Sequence, residues 1–155
     1  MPKSEIVSSN LAGLTCWEIP HQDKKSVILI LHCLGVTGRE TAEIISPIAH
    51  RLPSRIICPE SPVSPGLWFE FSEEMEVQKE RSFIKLTNLI SELVTDSLVE
   101  LSRLSIVGIS QGGVLAFELG TRLAIPLGPI VTICSYLFDS TLSLADESVS
   151  NLRKY

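Results

Sequence analysis

The chain has 155 residues, 45% of them apolar, and a formal net charge of −5. That length and composition give one domain with a sizeable core, and the acidic balance disfavours nucleic acid and anionic membrane surfaces as partners. Residues 1–10 are polar and lack the apolar stretch of a secretory leader, and no apolar run nears the ~20 residues of a membrane span.

In chain order, Leu14-Thr15-Cys16-Trp17-Glu18-Ile19 has a mixed pattern suited to an edge strand. Residues 26–32 read as a buried strand, apolar at the consecutive positions 27–31 as central parallel strands are. Residues 40–52 predict a helix with Ile44, Ile45, Ile48 and Leu52 on one face and Pro47 disturbing its middle. Arg55-Ile56-Ile57-Cys58 is a short strand. Residues 59–66, with Pro59, Pro62, Pro65 and Gly66, form an ordered loop. A long helix lies within 75–98, where Phe83, Leu86, Leu89, Ile90, Leu93 and Val94 step at three and four. A strand over Leu104-Ser105-Ile106-Val107, a helix over 111–124 and a strand over 129–134 follow, then a serine-rich stretch without strong period. Strands alternating with helices predict a mostly parallel α/β sheet of about five strands, flanked by helices.

Between the fourth predicted strand and the helix after it stands Gly108-Ile109-Ser110-Gln111-Gly112. In a strand–turn–helix context, G-x-S-x-G is a nucleophile elbow, with Ser110 lifted clear of the sheet. Gly108 and Gly112 leave room for the turn, and the backbone N–H of Gln111 points to the same place from a helix N-terminus. A serine hydroxyl needs a base to accept its proton. The order expected for such an elbow is Ser, then Asp or Glu, then His, yet His21, His32 and His50 all precede Ser110 and no histidine follows it.

A second glycine-bearing segment, His32-Cys33-Leu34-Gly35-Val36-Thr37-Gly38, follows the first buried strand, where a backbone N–H can turn into a site. With Cys58-Pro59-Glu60-Ser61-Pro62, Trp68-Phe69-Glu70, the elbow, and Cys134-Ser135-Tyr136-Leu137, it makes an ordered set at compatible spacing. The set resembles the acyl-protein thioesterase and carboxylesterase group of α/β-hydrolases, whose corresponding segments are H-G-L-G-D-T-G, C-P-x-A-P, W-F-D, G-F-S-Q-G-G and S-x-W-L. The resemblance covers about residues 26–137. It implies an α/β-hydrolase-type sheet and a serine hydrolase of carboxylic esters or acyl thioesters, with no cofactor. Ser110 would be the nucleophile, the N–H groups of Leu34 and Gln111 the oxyanion hole, and Trp68 and Phe69 would line an acyl pocket. Substrates would be small acyl esters or S-acylated proteins.

The departures are equally specific. Cys33 stands where the family has glycine, which would strain the loop by about 1 kcal/mol if a positive φ is required. Val36 replaces an aspartate. The family's catalytic Asp follows the next strand and its His lies near the C-terminus; neither has a counterpart here. Residues 1–155 therefore read as one incomplete α/β-hydrolase domain lacking the last strands, with impaired catalysis. A non-catalytic relative or a gene-model fragment with a binding role is the alternative. In the family the residue matching His32 anchors the loop, and Asp139 and Asp146 have no histidine to orient. The residues near Ile130, Val131 and Ile133 would form an unprotected sheet edge prone to self-association. Cys16, Cys33, Cys58 and Cys134 show no metal-ligand spacing and read as free, buried thiols in a reducing cytoplasm.

Overall fold

The structure, a computed structural model, describes residues 4–23, 25–95 and 99–138. Among the described residues six strands form one sheet: β1 (Val7–Leu11), β2 (Leu14–Ile19), β3 (Val27–Leu31), β4 (Arg55–Pro59), β5 (Leu104–Ile109) and β6 (Ile130–Ile133). Three α-helices join them: α1 (Gly38–Ala49), α2 (Met75–Thr95) and α3 (Gln111–Arg122). The spatial order is β1-β2-β4-β3-β5-β6, in which β4, β3, β5 and β6 are mutually parallel and β1 and β2 are antiparallel to their neighbours. The predicted mostly parallel α/β sheet is therefore present.

One more strand is found than the sequence reading expects. Leu14–Ile19 is not an edge, because β1 pairs along its whole length through a two-residue turn, Ala12-Gly13, with positive φ at both residues. The Glu92 carboxylate of α2 accepts the Ala12 N–H at 2.6 Å and fastens this turn. At the opposite side, β6 ends the sheet among the described residues, with Val131 and Ile133 exposed.

The strand pleat sends alternate side chains to opposite faces. Val27, Leu29 and Leu31 meet α2 and α3 in the larger core, with Leu86, Leu89, Val114 and Leu119. Ile28 and Ile30 face α1 with Ile56 and Cys58. Thr37 caps α1: its hydroxyl accepts the Glu40 N–H while the Glu40 carboxylate accepts the Thr37 N–H. Pro47 does not break this helix, which ends two residues later at Ala49, so few backbone bonds are at stake. The buried face of α1 also departs from expectation. It is made of Thr41, Ala42, Ser46 and Ala49, whereas Ile44 and Ile48 are exposed. Small side chains let the helix lie close on the sheet, and closeness wins over the apolar stripe. Helices α2 and α3 are tied by the buried Lys79–Glu118 ion pair at 3.1 Å.

Candidate active site

The chain reverses its winding direction between β3 and β5. The connection after β3 leads through α1 to β4 on one side, and the one after β5 leads through α3 to β6 on the other. The two strands are adjacent and parallel, with Leu31 opposite Gly108. Their following segments diverge to opposite faces and open a crevice at the carboxyl ends, the usual ligand position in such sheets. Loop 32–38 lies on one side of it and Ser110 on the other.

Ser110 has φ 52° and ψ −115°, a conformation costly for any residue with a Cβ. It persists because the surroundings determine it. The Ser110 N–H donates to the Ile133 carbonyl at 2.9 Å, and the Ser110 carbonyl accepts from Gly113 N–H, Val114 N–H and the Ser135 hydroxyl. The two elbow glycines are sterically required. A Cβ on Gly108 would lie 2.3 Å from the Gly112 carbonyl oxygen, and one on Gly112 would lie 2.3 Å from the Leu31 carbonyl oxygen. Helix α3 can thus start directly against β3, with its positive end at Ser110. Ser110 is half-buried. Among the described residues its hydroxyl has no hydrogen-bond partner.

Gln111 contributes more than a backbone N–H. Its amide is buried: Oε1 accepts the Trp68 N–H at 3.2 Å, and Nε2 donates to the Phe69 carbonyl at 2.8 Å. The Ser82 hydroxyl of α2 donates to the Trp68 carbonyl. These bonds hold the 68–69 segment beneath the elbow. Trp68 and Phe69 are each 0% exposed, so neither lines an open acyl pocket. The Trp68 indole N–H donates to the His32 carbonyl at 2.8 Å and its ring stacks on His32 with centroids 4.5 Å apart. They form the floor under loop 32–38. A resemblance of motif carries the residue type across, but only packing shows which way the ring faces.

Loop 32–38 begins at the fully buried His32. Its middle is fixed by the Gly35 N–H donating to the Gly66 carbonyl at 2.8 Å, with Gly35 at φ 80°. Leu34 is 50% exposed, and among the described residues its N–H has no hydrogen-bond acceptor. Cys33 does not have a positive φ, so the strain expected of a side chain there is absent; the left-handed position belongs to Gly35. Glu60, to which sequence reasoning gave no role, holds the far side. Its carboxylate accepts from Gly38 N–H at 3.0 Å and Gly66 N–H at 3.2 Å. It also lies 3.4 Å from His32 Nε2, an ion-pair distance outside hydrogen-bond alignment. Burial alone pushes the Glu60 carboxyl up, but His32 and the two N–H donors outweigh it and hold the group below the usual carboxylate range.

The other histidines are elsewhere: His21 Nδ1 accepts the Asp23 N–H, and His50 caps the exposed C-terminus of α1. Asp139 and Asp146 lie outside the described residues. The expectation of four buried thiols needs correction, since Cys16 and Cys58 are buried but Cys33 is half-buried and Cys134 exposed. Among the described residues no helix is long and apolar enough to cross a membrane, and no group of three His, Cys, Asp or Glu side chains could hold a metal.

The family model described as phospholipase/carboxylesterase matches residues 15–151. The chain belongs to the phospholipase/carboxylesterase family. It is a carboxylesterase-like hydrolase with the α/β-hydrolase fold. Solved structures agree on the fold. A phospholipase/carboxylesterase from Dyadobacter fermentans superposes with a TM-score of 0.67 at 17% identity, over 98% of this chain and 82% of that one. A carboxylesterase from Mesorhizobium loti gives 0.68 at 14% identity, over 89% and 68%. Esterase PE8 gives 0.68 at 19% identity, over 95% and 70%. No curated protein sequence matches the chain significantly.

Proposed function

We propose that the chain is a serine hydrolase of carboxylic esters or acyl thioesters, with Ser110 as nucleophile and the Leu34 and Gln111 N–H groups as oxyanion hole. The observation that carries this is the backbone of Ser110. A strained residue, held by four hydrogen bonds to its N–H and carbonyl, stands at a strand–helix junction with its own hydroxyl unused. Strain of that kind persists where it positions a reacting group.

In this reading Ser110 Oγ attacks the acyl carbon as its proton passes to a base. The carbonyl electrons move onto oxygen, which the two N–H groups stabilise. The intermediate collapses, expelling an alcohol or thiol and leaving an acyl ester on Ser110. Water then cleaves that ester by the same route and releases the acid. Acyl transfer of this kind needs no cofactor. Both small acyl esters and S-acylated proteins fit the exposed position of loop 32–38, and the buried thiols Cys16 and Cys58 suit a reducing, cytoplasmic setting.

No histidine stands among residues 111–155 to take the Ser110 proton. His32 is committed beneath the loop, and His21 and His50 serve other elements. Turnover by the 155-residue chain is therefore feeble, at roughly the 10³ over water that an oxyanion hole and binding supply without a working triad. A non-catalytic relative that binds acyl groups is the second reading, favoured by the same unpartnered hydroxyl. The test is p-nitrophenyl acetate hydrolysis and serine-directed phosphonate labelling, with Ser110→Ala as control. Slow, Ser110-dependent hydrolysis that rises steeply when a family-type segment bearing an Asp and a His is appended supports the enzyme. Hydrolysis at ordinary esterase rates that Ser110→Ala stops refutes the missing base. Hydrolysis indifferent to Ser110→Ala refutes the nucleophile.

A further inference from the structure

Three separate points of loop 32–38 are tied to one side chain outside it. At the loop's start, His32 Nε2 faces Glu60 Oε1 at 3.4 Å. In its middle, the Gly35 N–H is held by the Gly66 carbonyl, and the Gly66 N–H is held by Glu60 Oε1. At its end, the Gly38 N–H donates to Glu60 Oε2. Gly38 is also pressed onto β4, where a Cβ would meet the carbonyl oxygens of Cys58 and Pro59 at 2.9 Å each. The loop's exposed residues are Leu34 and Gly35, and of these only Leu34 has a backbone N–H without an acceptor among the described residues. A loop containing Gly35 and Gly38 has little stiffness of its own, and an oxyanion donor works only when held close to the position the charged oxygen will take.

We propose that Glu60 is a positioning residue for acyl transfer: its ionised carboxylate sets loop 32–38 so that the Leu34 N–H meets the oxyanion forming at Ser110. Glu60 does not touch substrate, and the proposal rests on the roles given to Ser110 and Leu34 above. Charge matters because hydrogen bonds from N–H groups to a carboxylate are roughly twice as strong as those to a neutral acceptor. Gly38 and Gly66 bond different carboxylate oxygens, so a glutamine of the same size would turn its NH2, a donor, toward one of the two N–H groups. The charged groups facing Glu60 are His32, which favours its ionised form, and Glu40 of α1, which opposes it. Because the Glu60 carboxyl lies below its ordinary value, its hold is complete above that value and is lost as the pH falls through the folded one.

The experiment compares wild type with Glu60→Gln and Glu60→Ala, and with Glu43→Gln on the exposed side of α1 as control. Amide hydrogen exchange at Gly35, Gly38 and Gly66 is read beside that of β5, together with kcat and KM for p-nitrophenyl acetate across pH. In Glu60→Gln, exchange at these three glycines is expected to rise about tenfold or more while β5 stays protected. The Ser110-dependent kcat should fall about tenfold with KM within about twofold, since a loosened donor acts on the transition state. The acid limb of the wild-type kcat profile should vanish in this variant, and Glu43→Gln should resemble wild type throughout. Unchanged glycine exchange, exchange raised equally through β5, or a loosened loop with unchanged kcat each overturns the role of Glu60 while Ser110 dependence persists. Hydrolysis indifferent to Ser110→Ala overturns the site itself, and this proposal with it.

Discussion

Helix α3 contains two glycines at which the same substitution should have opposite consequences. An alanine replaces glycine in a helix with a gain of up to about 1 kcal/mol from backbone entropy. At Gly112 the new Cβ would stand 2.3 Å from the Leu31 carbonyl oxygen and 2.6 Å from that of His32. Both are backbone atoms at the end of the central strand, so the helix must move off the sheet. Overpacking of this kind costs about 3 kcal/mol at the upper end of its usual range. The net loss is roughly 2 kcal/mol, or about 4–8 °C in Tm for a chain of this length. At Gly120 the Cβ would instead meet the Ile130 Cδ1 at 2.5 Å, and its next contact is at 3.8 Å. That methyl ends a flexible side chain and can turn away, so Gly120→Ala should lie within about 0.5 kcal/mol of wild type. Urea unfolding followed by circular dichroism measures both. Because a shift of α3 also moves Ser110, Gly112→Ala should lose Ser110-dependent hydrolysis, whereas Gly120→Ala keeps it. Equal stability losses in the two variants would refute the argument that backbone contact decides, as would a fully stable Gly112→Ala.

Ser110→Gly should unfold about 1 kcal/mol later than Ser110→Ala, since only glycine adopts φ 52° and ψ −115° without strain; both variants should lose hydrolysis, and parallel thermal scans decide. Burial first, then the neighbouring Glu18 charge, pushes the Cys16 thiol up to about 12, and burial first, then Cys16, does the same for Cys58. At pH 8 each is then a thiolate in about one molecule in 10⁴, so iodoacetamide followed by mass spectrometry should find the exposed Cys134 alkylated long before either. We expect self-association through β6, and Val131→Lys with Ile133→Lys should shift the sedimentation profile toward monomer; a wild-type monomer at micromolar concentration counts against it.

The parts of this molecule that were legible in its residues are those set by short-range geometry. Residues 26–32 read as a buried strand because the five consecutive positions 27–31 are apolar. The elbow was legible because a strained turn between a strand and a helix admits glycine, serine and glycine at 108, 110 and 112 for reasons of space that act within a few residues. The capping of α1 by Thr37 and Glu40 is equally local. Tertiary structure alone decided the rest. Periodicity groups Ile44, Ile45, Ile48 and Leu52 but does not say how near the helix must come to the sheet; Ile45 and Leu52 do pack on the core, while that nearness buried Thr41, Ala42, Ser46 and Ala49 and left Ile44 and Ile48 exposed. The motif carrying Trp68 and Phe69 does not say whether their rings face a substrate or the underside of a loop. The His32 carbonyl, distant in sequence, accepts the Trp68 indole N–H and the His32 ring stacks on it, whereas the Phe69 ring packs edge-on against Phe71 and Phe138. Glu60 had no signal at all, because a lone carboxylate beside prolines becomes a bracket only when β3, β4 and the 59–66 loop bring three N–H donors to it or to its partner glycine. The chain's local chemistry thus determined that a serine would be presented at a sharp turn; long-range packing decided what supports it, because hydrogen bonds between segments depend on distances that sequence spacing does not contain.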